Sequence, residues 1–257
     1  ADILGAVPDV FIHADGANKS LSSPGVVNYL TVGKAAALTR QMIGEKGLRE
    51  HSFVHAHGTG TPQNRVTESV ILDRVADAFC IRHWPVTAIK AYVGHSLGSA
   101  GGDQLAAALG SFAQGVLPGI RTIDHIAGDV HRQHLDFAME HVQRDDLQAS
   151  LINSKGFGGN NATAVALSAT VTEAMLQQRH GEKAITHWQT ARDSVLQAKA
   201  RFRDHCLNEA PKPVYRFNDG VQGDEAVTLS GKAVQLNGGT VMGFDDDSEL
   251  TAYQLDR

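Results

Sequence analysis

The sequence predicts an α/β protein built on a largely parallel sheet, and three observations predict it. Short apolar, β-branched runs alternate with longer stretches whose apolar residues recur at helical spacing, the pattern of strands joined by crossover helices. Glycine-rich turns stand where the candidate strands end. After Ser168 the alternation stops and a charged, helical stretch begins, so residues 1–169 are expected to form one α/β domain and 170–257 an extension of unassigned role.

The elements follow in order. Asp9–Ala14 reads as a strand, and the polar stretch Asp15 to Ser23 as a turn. Pro24 opens a pattern of Val27, Leu30, Val32, Ala36, Leu38 and Ile43 that suits a helix, with Gly44 and Gly47 placed to end it. Ser52–His57 is apolar and β-branched enough for a buried strand, and it breaks into Gly58-Thr59-Gly60-Thr61-Pro62. Val66, Val70, Ile71, Val75 and Phe79 then mark a second helix. Pro85–Ile89 is a third strand, followed by Lys90 to His95 and a helix from about Leu97 to Gln114 that opens on Gly, Ser and Ala. Leu117 to Asp146, with His125, His131, His134 and His141, is expected to run over the surface. Ser150–Ser154 and Thr163–Ser168 flank a glycine-rich tip and read as a hairpin. In the extension, Met175, Ile185, Trp188, Val195 and Leu196 mark a helical face interrupted near Gly181, Pro211 and Pro213 stop it, Ala226 to Leu236 reads as a hairpin, and Asp245-Asp246-Asp247 is an acidic run.

Composition narrows the function. The 257 residues carry 28 acidic against 23 basic side chains, a net charge of -5, which gives no basic face for nucleic acid or an anionic membrane. No run approaches the ~20 apolar residues of a membrane span, and the first residues lack the pattern of a signal peptide. Cys80 and Cys206 stand far apart without a nearby cysteine, so a reducing, cytoplasmic compartment is expected and each is read as a buried or partly exposed structural thiol. The chain begins without Met and runs almost at once into a strand, as if entered midway.

Three motifs carry chemistry. His57-Gly-Thr-Gly-Thr-Pro62 puts an imidazole at a strand end and two hydroxyls on a flexible loop. Lys90 and His95, five apart, bring an ammonium and an imidazole toward one pocket. Gly156-Phe157-Gly158-Gly159 frees the backbone to approach a ligand and aim N–H groups at a developing oxyanion.

Occurring in this order, with Val54–Pro62, Ala88–His95 and Asn153–Asn161 as they stand, the motifs make Asp9 to Ser168 resemble the C-terminal half of the β-ketoacyl-acyl-carrier-protein synthases, condensing enzymes of the thiolase-like fold. The resemblance implies half of a layered αβαβα fold, with a helical and short-β appendage. It implies decarboxylative Claisen condensation of an acyl thioester with malonyl-carrier protein, in fatty acid or polyketide synthesis. His57 and His95 match the family's histidines that stabilise the enolate, Lys90 the lysine supporting them, and Glu68 its buried carboxylate partner. Thr59 and Thr61 match the threonines that bind phosphopantetheine. Phe157, between Gly156 and Gly158, matches the gating phenylalanine whose N–H belongs to the oxyanion hole. No metal or organic cofactor is implied beyond the phosphopantetheine arm of acyl carrier protein or CoA, and the implied partners are acyl carrier protein, malonyl and acyl thioesters, an N-terminal half and a second copy in a homodimer.

The chain departs from the family in three ways. The family's nucleophilic cysteine lies on a tight turn in the N-terminal half, and neither Cys80 nor Cys206 stands on a glycine-flanked elbow. Gln63-Asn64-Arg65 stands where many relatives have glycine-aspartate, and Asn160 where many have threonine. Lys155 and the long extension complete the pattern of a divergent bacterial subgroup. Two rival readings remain: a non-catalytic or split partner subunit, and a zinc hydrolase using His55, His57 and His95. The lysine and glycine-threonine loop are poor company for a dication, and His55 is read as a packing residue.

Overall fold

β-Branched and aromatic runs of four or five residues do form the strands, and the helices between them cover both faces of one sheet. The computed structural model describes residues 2–15, 26–209, 217–221, 223–236 and 239–244. In chain order the elements are β1 (Gly5–Ala6), β2 (Val10–Ala14), α1 (Val26–Glu50), β3 (Ser52–His55), α2 (Pro62–Ala78), β4 (Trp84–Thr87), α3 (Lys90–Val93), a 3₁₀ turn (Leu97–Ser99), α4 (Ala100–Gln114) and β5 (Val116–Leu117). They continue with β6 (Leu135–Asp136), β7 (Val142–Gln143), β8 (Ala149–Gly156), β9 (Asn160–Ser168), α5 (Ala169–His180), α6 (Glu182–Asn208) and β10 (Val227–Leu229), β11 (Ala233–Leu236) and β12 (Val241–Gly243).

The seven-stranded sheet runs β1-β9-β8-β3-β4-β6, with β2 also on β9. β8, β3, β4 and β6 are mutually parallel, and β9 returns antiparallel to β8 with Gly156 opposite Asn160. β3 is buried at every position, as an interior strand between two helical layers must be. Its side chains separate by the period of two. Val54 joins Val32, Ile71, Leu72, Leu151, Val165 and Leu167 under α1 and α2. Phe53 joins Ala108, Ile152 and Ala166 under α4. These three layers are the half-fold expected of the thiolase-like class.

Element ends differ from expectation where capping decides them. α2 starts at Pro62 rather than Val66, because Thr61 is extended and Pro62 supplies the fixed φ of a first helical residue. In α1 the interruption falls at Gly44, whose φ of 77° no other residue adopts cheaply, and Gly47 lies in a further helical turn against Ile43. The expected turn at 16–23, the helix opening at Pro24, the stop at Pro211 and Pro213 and the run Asp245–Asp247 lie outside the described residues. His125, His131 and His141 are exposed as expected, whereas His134 is half-buried, its N–H donating to Asp73 (2.7 Å).

Two compact units divide within α6, between Lys199 and Ala200. Val171 and Met175 of α5 pack on the core of the first unit. The second unit contains the end of α6 and a three-stranded antiparallel sheet, β10-β11-β12, which adds one strand to the hairpin expected there. Among the described residues no helix is long and apolar enough to cross a membrane.

Candidate functional site

The parallel strands β3, β4 and β8 all point their C-terminal ends at one place, the position where open α/β sheets expose backbone and loops to a ligand. His57 stands two residues past β3 and is buried. Gly58 follows with a φ of 55°, and a Cβ there would meet the Ala88 methyl at 2.7 Å. Glycine is thus required twice over for the chain to turn from β3 into the loop before α2.

Glu68, in the second turn of α2, holds this turn in place. Its carboxylate is 4% exposed and accepts four hydrogen bonds. Oε1 takes the His57 N–H (2.7 Å) and Asn153 Nδ2 (2.7 Å), and Oε2 takes the Gly58 N–H (3.0 Å) and Asn64 Nδ2 (3.0 Å). Burial pushes the carboxyl up, but the Lys155 charge and these donors outweigh it and hold Glu68 below the usual carboxylate range. Asn153 on β8 extends the network, its Oδ1 accepting from Asn28 of α1 and Thr163 of β9. From the other face, Gln104 of α4 donates to the carbonyls of His55, Ala56 and Asn153.

The two histidines meet above this network. The rings of His57 and His95 stand 5.3 Å apart, edge to face at 80°. His57 Nδ1 accepts the N–H of Lys155 (3.2 Å), and His95 Nδ1 accepts the N–H of Leu97 (3.1 Å). A ring nitrogen that accepts carries no proton, so in the neutral tautomer both hydrogens sit on Nε2. Burial lowers the His57 pKa to about 4, with Lys90, His95 and Lys155 adding to the effect against the opposing charge of Glu68. The exposed His95 is also lowered, by desolvation and then by Lys90. Both imidazoles are therefore neutral donors near pH 7.

Lys90 opens α3 and is buried, and its Nζ makes no hydrogen bond. Burial lowers its pKa, and Glu68 and Asp103 partly restore it. Glu68 is thus bonded to backbone and amide donors rather than to Lys90, which acts on it only through space.

His57, His95, Ser154, Lys155 and Gly156 line an open cleft of about 480 Å³ whose rim carries exposed Val10, Ile12 and Leu97. The tip between β8 and β9 is three residues long, with Gly158 and Gly159 at φ of 79° and 76° and the Phe157 ring 78% exposed. His95 also borders an open cavity of about 900 Å³ lined by Thr59, Thr61, Glu68, Lys90, Ile120 and Phe137. The Thr59 and Thr61 hydroxyls stand 3.2 Å apart.

Other candidates stay away. His55 turns to the α4 side, edge-on to Phe53, with neither ring nitrogen partnered and its pKa driven to about 3 by burial and then Lys90. It does not converge with His57 and His95, and the described residues hold no group of three His, Cys, Asp or Glu side chains placed to bind a metal. Cys80 and Cys206, expected to be buried or partly so, are free and exposed. Cys80 follows the far end of α2, whose 17 residues span about 25 Å. Asn153, Gln104, Asn64 and Lys155 were not singled out as site residues from the sequence. The only signal was polar side chains inside otherwise apolar strand and helix faces.

Comparison with known proteins agrees with this geometry. Residues 8–124 match the family model "Beta-ketoacyl synthase, C-terminal domain". Over all 257 residues the chain is 50% identical to the β-ketoacyl-[acyl-carrier-protein] synthase FabY of Pseudomonas aeruginosa, covering 39% of it. The crystal structure of that ketosynthase superposes with a TM-score of 0.81 at 48% identity, over the whole of this chain and 40% of the other. An actinorhodin polyketide putative β-ketoacyl synthase of Streptomyces coelicolor is 32% identical over 125 residues, 48% of this chain and 25% of that protein. The chain spans about two fifths of the length of the Pseudomonas relative, and it belongs to the β-ketoacyl synthase family, of which it carries the C-terminal domain.

Proposed function

We propose that this chain supplies the enolate-forming half of a β-ketoacyl-acyl-carrier-protein synthase. One observation carries the reading: two neutral imidazoles, 5.3 Å apart, each locked by a backbone N–H so that Nε2–H is free to donate. When a malonyl thioester loses CO₂, the electron pair of the breaking C–C bond moves into the thioester carbonyl and leaves an enolate oxygen. Two fixed N–H donors at that oxygen stabilise the charge as it develops, and need no reorganisation to do so. The enolate carbon then attacks an acyl thioester, whose thiolate leaves, and a new C–C bond forms. In this reading the acyl group rides on a cysteine outside these 257 residues, because Cys80 follows the wrong end of α2 and neither Cys80 nor Cys206 stands on a glycine-flanked elbow.

Thr59 and Thr61 hold the phosphopantetheine arm, the N–H groups around Phe157, with Gly156 and Gly158 beside it, receive the oxyanion of acyl transfer, and Lys90 keeps the histidines neutral. Glu68 is a positioning residue that fixes the His57 turn. No metal or organic cofactor takes part beyond the arm of the carrier. The partners are acyl carrier protein, as in the name of the Pseudomonas relative, an N-terminal half and a second copy, in the cytoplasm. The test uses the full-length protein that carries these residues. Malonyl-carrier decarboxylation and condensation are followed in the wild type and in His57→Ala and His95→Ala. Loss of decarboxylation on the order of 10²–10³-fold in each variant supports the reading; a wild type that neither decarboxylates nor condenses refutes it.

A further inference from the structure

Lys155 is a buried ammonium that the mechanism above leaves unused. It is 7% exposed, near the end of β8, where an ordinary strand would bury an apolar side chain. Burying an ammonium group is costly unless it is paired and bonded. Two residues along the strand from Asn153, it projects from the same face of the sheet. Asn153 reaches the Glu68 carboxylate directly, and the Lys155 Nζ reaches the Thr67 hydroxyl (3.4 Å), on the residue just before Glu68. The same residue donates its N–H to His57 Nδ1. Lys155 thus touches the histidine with its backbone and the glutamate's helix with its side chain.

Building on the condensing-enzyme reading, we propose that Lys155 is a positioning residue, the cation that balances the Glu68 carboxylate beneath His57 while its N–H aims Nε2 into the cleft. The division of charge supports this. Two buried ammonium groups, Lys90 and Lys155, face one buried carboxylate. Glu68 feels Lys155 as the largest favourable contribution to its ionisation, whereas the Lys90 Nζ has no hydrogen bond and faces the histidines. Asp15, after β2, is the second acidic group facing Lys155, and Asp103 of α4 faces Lys90. His57 itself is faced by Glu68, Lys90, His95 and Lys155. With Lys155 facing Glu68 from β8 and anchored on Thr67, Lys90 is left without a hydrogen bond, and its charge lowers the pKa of both histidines.

Lys155→Met, Lys155→Arg and Thr67→Val in the full-length protein test the proposal, each followed by decarboxylation rate against pH and by imidazole nitrogen resonances. Lys155→Met removes a cation that lowers the His57 pKa, so the acid limb of the profile moves upward by about one pH unit, a tenfold change in the protonation equilibrium. The rate at pH 7 falls on the order of tenfold to a hundredfold, as expected of a displaced donor. Lys155→Arg keeps the wild-type limb. An acid limb unmoved in Lys155→Met overturns the proposal, since a purely packing role changes melting temperature and not the limb. Should Lys155→Met not fold, Thr67→Val decides, an upward limb supporting the assignment and an unmoved one overturning it. A wild type without decarboxylation sinks the functional reading instead, and the His57 resonances in the same variants still test Lys155.

Discussion

The two ends of the central sheet are buried to the same degree by opposite means. Where β3, β4 and β8 begin, Trp84 and Ala149 cluster with Leu48, Ile81 and Leu167 on one face of the sheet and Phe53 packs on the other, all of them apolar and fully enclosed. Of the polar groups there, the Trp84 indole donates to the Ser52 hydroxyl, and the Ser150 hydroxyl is buried without a partner. Where the same strands end, Glu68, Asn153, Gln104, His57, Lys90 and Lys155 are all under 10% exposed and mostly tied to one another and to backbone. The first end is held by area removed from water, which tolerates small shifts. The second is held by directed bonds, each of which leaves a costly orphan when its partner goes. A site that must keep two N–H donors in place is better built at the second.

Removing the hub of the polar end has the largest effect expected here. Glu68→Ala leaves two backbone N–H groups and two amides without their acceptor, and two buried ammonium groups without the charge that faces them, a loss of about 3–5 kcal/mol together with decarboxylation. Chemical denaturation and the decarboxylation assay on the same sample check it. If Glu68→Ala lost less than ~1 kcal/mol, the directed-bond account of this end would be wrong. At the other end, Phe53→Ala opens a cavity under α4 and costs about 3–4 kcal/mol, while the pH profile of the folded fraction stays where it was. A shifted profile would mean that the two ends are not independent.

The same contrast explains what could be read from the sequence. The apolar end follows from periodicity: Val54 and Phe53 fall on opposite faces because strands alternate, and Val32, Ala35 and Ala36 fall on one stripe of α1 because helices repeat. The histidines, the lysine and the glycine-rich turns were legible as motifs because their spacing is local. Asn153 and Gln104 were not, since their bonds join residues from different elements, such as Glu68 to Asn153 over 85 positions, and no periodicity encodes that pairing. Helix α2 starts four residues before Val66, its first apolar position, because Pro62 serves as a helix start as well as a turn residue. The break of α1 at Gly44 was foreseen, but the further turn beyond it depends on the contact of Gly47 with Ile43, which only packing reveals.

His55 lies between the two ends and sharpens the comparison at intermediate scale. It is polar yet held like an apolar side chain, with both nitrogens unpartnered against Phe53. Its pKa falls from the ordinary 6.5 to about 3, so below pH 6.5 the unfolded chain takes up a proton that the folded chain refuses. Its contribution to stability is therefore intact above 6.5 and is lost as pH falls toward 3, at up to about 1.4 kcal/mol per pH unit. His57 acts in the same direction down to about 4. In His55→Phe the acid slope of unfolding free energy becomes shallower while decarboxylation persists. A slope identical to the wild type would show that His55 finds a partner and belongs to the polar end after all.

The smallest effect is a gain, and it bears on where the nucleophile is not. Cys80 ends α2 at a φ of 56°, a left-handed conformation costly for any residue with a Cβ, and its thiol is exposed. Cys80→Gly removes that strain without opening a cavity and stabilises the protein by roughly 0.5–1 kcal/mol, a rise of a few degrees at most in melting temperature for a chain of this size. The cost of glycine's extra freedom in the unfolded chain works against the gain, which is why a larger rise is not expected. Condensing activity in the full-length protein stays unchanged, because nothing at this end of α2 reaches the paired imidazoles. Were Cys80→Gly, or the isosteric Cys80→Ser, to abolish acyl transfer while leaving decarboxylation intact, the thiol that carries the acyl group would lie here, and the assignment of that role to a cysteine outside these residues would fall.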